Sequence, residues 1–159
     1  MSKLKIFLET TLFNRYYDLD REGHRETVIM FNAIGAGVYE GYTSFDVIEE
    51  LEKANDPKRA NMIALIEKND IVVLEANDDT HELAGIYIQN KVIPKRFIMD
   101  ATHIAIASVY KLDDILSYNF SHINNDKTKM MTEEINIKLG YKYVKIRTPW
   151  EVLNDEKKT

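Results

Sequence analysis

The stretch Phe97–Asn119, FIMDATHIAIASVYKLDDILSYN, decides how the rest of the chain is read. Its first half is apolar at Ile98, Met99, Ala101, Ile104, Ala105, Ala107 and Val109. That pattern is too continuous for a surface helix and fits one packed on most sides. Asp100 then falls in the first turn of a buried helix, where an ionised carboxylate needs a partner, a helix N-terminus or a metal to offset its lost hydration. A helix-start acid satisfied by backbone amides is the plainest account of it. After the turn at Asp113 and Asp114, the run Ile115–Tyr118 reads as a short strand ending at Asn119. A buried helix leading into an apolar strand is half of a parallel α/β unit, and in open α/β sheets ligands gather beyond the carboxyl ends of the strands.

Outward from this stretch the same alternation recurs. Lys3–Glu9 predicts a first, central strand closed by an acid, with Thr10 and Thr11 placed to cap a helix or to hydrogen-bond Glu9. Arg15–Gly23 is polar and reads as a loop or short helix, followed by a helix over 25–35 and a strand over 39–43. Ser44 is a good N-cap for a helix carrying Phe45, Val47, Ile48 and Leu51. On that helix Glu49 and Glu50 diverge by roughly 100°, so at most one can share a site with Asp100. A helix after Pro57, a β-branched strand over 70–74, helices over 78–91 and 126–139, a strand over 143–146 and a terminal turn from Thr148 complete the reading. The expectation is a three-layer α/β/α domain over residues 1–154, with a central parallel sheet of about five strands and a flexible charged tail at 155–159.

Composition narrows the class. The chain has 159 residues, 45% hydrophobic and 30% charged, which suits one domain with a real core. It has no cysteine, which removes disulfides and thiolate metal sites and fits a reducing cytoplasm. Leu4–Leu8 is far too short for a signal-peptide core or a membrane span, so a soluble, cytoplasmic protein is expected. A net charge of −5 argues against a general nucleic-acid coat protein but not against an enzyme that meets nucleic acid locally.

Glu9, Glu50, Asp100 and Asn119 occupy similar places at strand ends or helix starts. If they converge, the three carboxylates repel one another unless a cation neutralises them, and Mg²⁺ or Mn²⁺ suits such hard oxygen ligands. A site of that kind serves phosphodiester hydrolysis. His24, His81, His103 and His122 show no zinc spacing, and His103 reads as a packing or supporting residue. No glycine-rich phosphate loop or nucleophile elbow is present. Phosphotransfer chemistry of the aspartyl kind lacks its nucleophilic aspartate after the first strand, where Glu9-Thr10-Thr11 stands.

The segments DATHIA (100–105), LSYNFSHINN (116–125) and RTPWE (147–151), with ETTLFN (9–14) and YTSFDVIEEL (42–51) in the same order, resemble PIN domains of the type II toxin group. The resemblance covers nearly the whole chain. It implies a PIN-like fold and a metal-dependent ribonuclease of the virulence-associated protein C (VapC) type, dimeric and silenced by a cognate antitoxin. It also implies Mg²⁺ or Mn²⁺ held by Asp100, Glu50 and Glu9, with Asn119 positioning water and Thr11 supporting the first acid. Two positions depart from the family pattern. Glu9 stands where most members have aspartate, and Asn119 where many have a fourth acid, which favours one metal over two and leaves room for a catalytically weak module that binds RNA or a partner protein. Arg15, Lys95 and Arg96 are the candidate RNA contacts, with solvated surface charge as the alternative for each.

Overall fold

A computed structural model describes residues 2–157. Five parallel strands, β1 (Lys5–Leu8), β2 (Glu40–Ser44), β3 (Val72–Leu74), β4 (Asp114–Leu116) and β5 (Lys145–Arg147), form one sheet in the order β3-β2-β1-β4-β5. β1 is central, as its apolar run requires: Ile6, Phe7 and Leu8 are fully buried because helices cover both faces of the sheet. β3 is an edge strand, and Val72 there is correspondingly exposed.

Among the described residues eight α-helices flank the sheet: α1 (Thr10–Tyr17), α2 (His24–Gly35), α3 (Phe45–Leu51), α4 (Lys58–Lys68), α5 (Asp78–Gln89), α6 (Ile98–Val109), α7 (Asp126–Leu139) and α8 (Pro149–Lys157). They fall into two groups. In one, α1 packs on α2, α3 and α4, and α8 lies against α2; in the other, α5 runs along α6. Every residue of α6 from Ala101 to Ser108 is buried, which accounts for its unbroken apolar sequence. A polar cluster ties this second group together inside the core. The Tyr87 hydroxyl donates to Asn136 Oδ1 on α7 and lies 3.3 Å from Ser108 Oγ, while Asn136 Nδ2 donates to Ser108 Oγ at 2.9 Å and to the Lys142 carbonyl at 3.0 Å. Buried polar groups persist only when paired in this way.

The polar stretch after Asn14, read as a loop or short helix, continues α1 to Tyr17, with Leu12, Phe13 and Arg15 buried against the core. The terminal segment differs from the sequence-based expectation. The terminal turn is helix α8, anchored by buried Val152 and started by Thr148, whose backbone N–H donates to Glu151 Oε1 at 3.0 Å. The charged tail expected at 155–159 falls partly outside the described residues; Asp155 lies in α8 and accepts from Arg147. Among the described residues no helix is long and apolar enough to cross a membrane.

Chain order makes the sheet reverse direction at β1. The chain leaves β1 for β2 and β3 on one side and returns to β4 and β5 on the other. Such a switch point opens a crevice between the carboxyl ends of β1 and β4.

The outer part of the sheet depends on one buried ion pair. Asp114 on β4, 1% exposed, accepts from Arg147 Nε at 2.8 Å and from Nη2, and the same guanidinium reaches Asp155 on α8. Removing one member of a buried pair leaves the other charge unpaired and costs about 3–5 kcal/mol. Arg147→Met should therefore lower the unfolding free energy by about that amount in urea denaturation, and Arg147→Met with Asp114→Leu should recover most of the loss.

Candidate active site

The carboxyl ends of β1 and β4 supply the first half of the site. Glu9 follows β1 directly and is the N-cap of α1; it is 3% exposed. Burial of a carboxylate demands donors, and three converge on its Oε1: the Thr11 hydroxyl at 2.5 Å, the Thr11 backbone N–H at 3.3 Å and the Ser117 hydroxyl at 2.7 Å. Thr11 and Ser117 are themselves tied to the segment leaving β4, since Tyr118 N–H donates to Thr11 Oγ1 at 2.8 Å and Asn119 N–H donates to Ser117 Oγ at 2.9 Å. Burial still dominates and pushes the Glu9 carboxyl above its ordinary value, against the pull of the His103 charge and the three donors.

Glu50, near the end of α3, is positioned by Ser44, which caps that helix with its hydroxyl on the Val47 N–H at 3.1 Å. Its Oε1 lies 2.7 Å from His103 Nε2 and accepts from the Thr10 hydroxyl. Burial lifts the Glu50 carboxyl, but the hydrogen bond and charge of His103, with help from Thr10, outweigh it and bring it below the usual range. His103 is completely buried on α6, and its Nδ1 has no partner among the described residues. Burial opposes its charged form, yet Glu50, Glu9 and Asp100 together raise its affinity for a proton.

Asp100 sits in the first turn of α6, one turn before His103. Its Oδ2 lies 3.5 Å from His122 Nδ1, and the Asn119 side chain hydrogen-bonds it. Burial raises its carboxyl, the charges of His103 and His122 and the Asn119 bond oppose this, and Glu50 adds to it. His122 stacks on Phe97 with ring centroids 3.9 Å apart, and the Arg96 guanidinium carbon stands 4.9 Å from the Phe97 ring centroid.

Glu9, Glu50, Asp100 and Asn119 thus surround one region, with buried His103 as the group whose charge all three acids feel. They are not equivalent. The side chains of Glu50 and Asp100 are 26% and 14% exposed, whereas Glu9 lies behind them. Among the described residues no group of three or more His, Asp or Glu side chains is gathered closely enough to hold a metal ion by itself. The donor chemistry nevertheless fits Mg²⁺ or Mn²⁺. The hydrogen bonds to Glu9 and Glu50 all fall on Oε1, so each keeps Oε2 outside those bonds, and Mg²⁺ typically takes one or two carboxylates and retains several waters. Glu50 and Asp100 are the residues a hydrated ion can reach.

The expected RNA contacts divide. Lys95 and Arg96 form an exposed 3-10 turn at the start of α6, on the rim of the site. Arg15 is buried, donates to the Glu22 carbonyl and stacks 3.9 Å over the Tyr118 ring, so most of its guanidinium is committed inside the protein. Ser117 and His122 are contributors that sequence reasoning missed, and Thr10, read as a cap or a donor to Glu9, bonds Glu50 instead. Thr10 and Ser117 are small hydroxyls with no motif of their own, and the only signal was their position next to Glu9 and two residues before Asn119.

The donors to Glu9 make a direct test. A hydrogen bond to a buried charge is worth about 1.5–3 kcal/mol. Ser117→Ala should lower the unfolding free energy by about 2 kcal/mol, whereas Thr10→Val, which strips a donor from half-exposed Glu50, should cost clearly less in the same chemical denaturation series.

No protein-family profile matches the sequence, and no curated protein matches it. Solved structures do. VapC20 of Mycobacterium tuberculosis, a sarcin-ricin loop cleaving toxin, aligns with a TM-score of 0.55 at 15% identity, over 74% of this chain and 92% of that one. VapBC2 of Rickettsia felis, bound to a DNA fragment from their promoter, aligns with a TM-score of 0.55 at 10% identity, over 91% and 98% of the two chains. At these identities the likeness is one of architecture: the chain has the PIN-like α/β fold of these toxin–antitoxin proteins.

Proposed function

We propose that the protein is a metal-dependent endoribonuclease acting on single-stranded or structured RNA, the toxin of a toxin–antitoxin pair. The observation that carries this reading is the assembly of Glu9, Glu50, Asp100 and Asn119 at the switch point of a parallel sheet whose fold is that of VapC20 and VapBC2. In this reading Asp100 and Glu50 hold Mg²⁺ or Mn²⁺ directly or through water. The ion supplies charge stabilisation at the scissile phosphate and lowers the pKa of water. Asn119 orients water beside Asp100 as an uncharged donor. Glu9, held by Thr11 and Ser117, fixes the exit of β1 against the exit of β4 and adds negative potential behind the two exposed acids. Lys95 and Arg96 on the rim meet the RNA backbone. A cognate antitoxin and a second copy of the chain are the protein partners this reading brings.

Cleavage of a mixed single-stranded RNA pool, with Mn²⁺, with Mg²⁺ and with chelator, compares the wild type with Asp100→Asn purified identically. Metal-dependent cutting is expected in the wild type only. Because burial and the neighbouring Glu50 both disfavour ionised Asp100, the variant should melt at the same temperature or higher. Equal traces of cutting in both proteins would sink the proposal.

One observation favours a second reading, a module that binds RNA or a partner without cutting. Each acid already has internal partners, His103 and Thr10 on Glu50, three donors on Glu9, and His122 and Asn119 beside Asp100. Titration calorimetry separates the two: saturable Mn²⁺ binding at millimolar concentration or below, reduced at least tenfold by Glu50→Gln, is the enzyme's expectation, and its absence supports the module.

A further inference from the structure

The segment leaving β4 serves two places. Ser117 bonds Glu9 and Asn119 lies beside Asp100, while Tyr118 and Phe120, at a turn in which the Phe120 N–H donates to the Tyr118 carbonyl at 3.0 Å, line a different space. That space is a cavity of about 330 Å³ lined by Arg15, Glu26, Tyr118, Phe120, Thr148 and Trp150, with Glu22 at its edge. Its floor is rigid. The Tyr118 hydroxyl donates to the Gly23 carbonyl at 3.1 Å and lies 2.8 Å from Thr27 Oγ1, and the Arg15 guanidinium covers the ring face at 3.9 Å. Gly23 is required beneath it: its φ is +87°, and a Cβ there would lie 2.8 Å from the Tyr118 hydroxyl oxygen.

The mouth is built differently. Phe120 is 56% and Trp150 60% exposed, so two large rings remain in water beside a preformed cavity. Glu26, half-buried in the first turn of α2, makes no hydrogen bond or ion pair among the described residues. The cavity therefore offers flat apolar faces and an unengaged carboxylate acceptor. That combination suits a planar ring carrying an amino group, and the carboxylates at its edge disfavour a phosphate inside it. A second cavity of about 280 Å³, lined in part by Thr11, Asn14 and Arg21, shares Arg15 and Tyr118 with the first and adjoins Glu9 through Thr11. Exposed Arg21 there is a cation for the phosphate that follows the base.

We propose that the Phe120–Trp150 cavity is a nucleobase subsite: it takes one unpaired base of single-stranded RNA, stacked on Phe120 and Trp150, and Glu26 selects bases with an exocyclic amine, adenine, cytosine or guanine, over uracil. The proposal rests on the ribonuclease reading for its substrate class and adds the part of the substrate held beside the carboxylates.

Trp150 is the chain's single tryptophan, so its emission reports the subsite directly. The full chain is titrated in chelator, where no metal-dependent cutting proceeds, with short oligoadenylate, oligocytidylate and oligouridylate. Saturable quenching by the first two at several-fold lower concentration than by the third is expected. Stacking on an aromatic side chain is worth about tenfold in affinity or more, so Phe120→Leu, which keeps apolar bulk, should weaken oligoadenylate binding about tenfold. Glu26→Gln, which keeps shape, should bring the three oligonucleotides to within about twofold of one another. Circular dichroism and melting temperature confirm that both variants fold; should Phe120→Leu fail to fold, Glu26→Gln and the wild-type quenching decide. No change in Trp150 emission at saturating RNA, or unchanged affinity in Phe120→Leu, overturns the proposal and leaves the exposed rings to a protein partner. Quenching without any metal-dependent cleavage upholds the subsite and removes the ribonuclease; cleavage without quenching does the reverse.

Discussion

A buried carboxylate at the end of the central strand is the constraint from which the site follows. Glu9 cannot lie at 3% exposure without donors, and those donors come from two different places in the chain, Thr11 at the start of α1 and Ser117 at the end of β4. Satisfying one side chain therefore locks the exit of β1 to the exit of β4. It also fixes Tyr118 and Asn119, whose backbone N–H groups bond to those same two hydroxyls. The length of the glutamate side chain belongs to this arrangement: Oε1 reaches the Ser117 hydroxyl at 2.7 Å, across the gap between the strands.

Charge is graded from inside to outside. His103 on α6 supplies a buried partner for Glu50 and lowers the cost of having Glu9 and Asp100 nearby, so the three acids do not simply repel. Asp100 is supported laterally by His122 and Asn119, and through His122 it connects to Phe97 and Arg96 on the rim. Buried His103 thus offsets part of the repulsion among the three acids from within the chain itself.

Most of this architecture was legible in the chain. The continuous apolar pattern of α6, the short strand runs and the helix punctuation by Ser44, Pro57 and Gly140 follow from local rules, and the five-stranded parallel sheet with β1 at its centre agrees with them. Periodicity was less informative where burial overrode composition. Arg15 reads as a surface cation but is drawn inward by the Tyr118 ring, and the charged terminal segment reads as a turn but is held as α8 by Val152 and Thr148. The bonds of Thr10 to Glu50 and Ser117 to Glu9, and the approach of His122 to Asp100, were invisible for another reason: each joins residues far apart in the chain, and no local spacing encodes such a meeting.

The sheet order has a consequence for timing. β1 is made first but needs β4 as a neighbour, and Ile6 pairs with Asp114, well over half the chain later. Contacts between residues so distant in sequence close late and slowly. During synthesis Glu9 therefore waits, without Ser117, while helices that will flank it have already emerged. A polypeptide still attached to the ribosome and shorter than about 120 residues holds only fragments of the acidic centre. Translation order thus leaves the centre unassembled until β4 and the segment that follows it have been made.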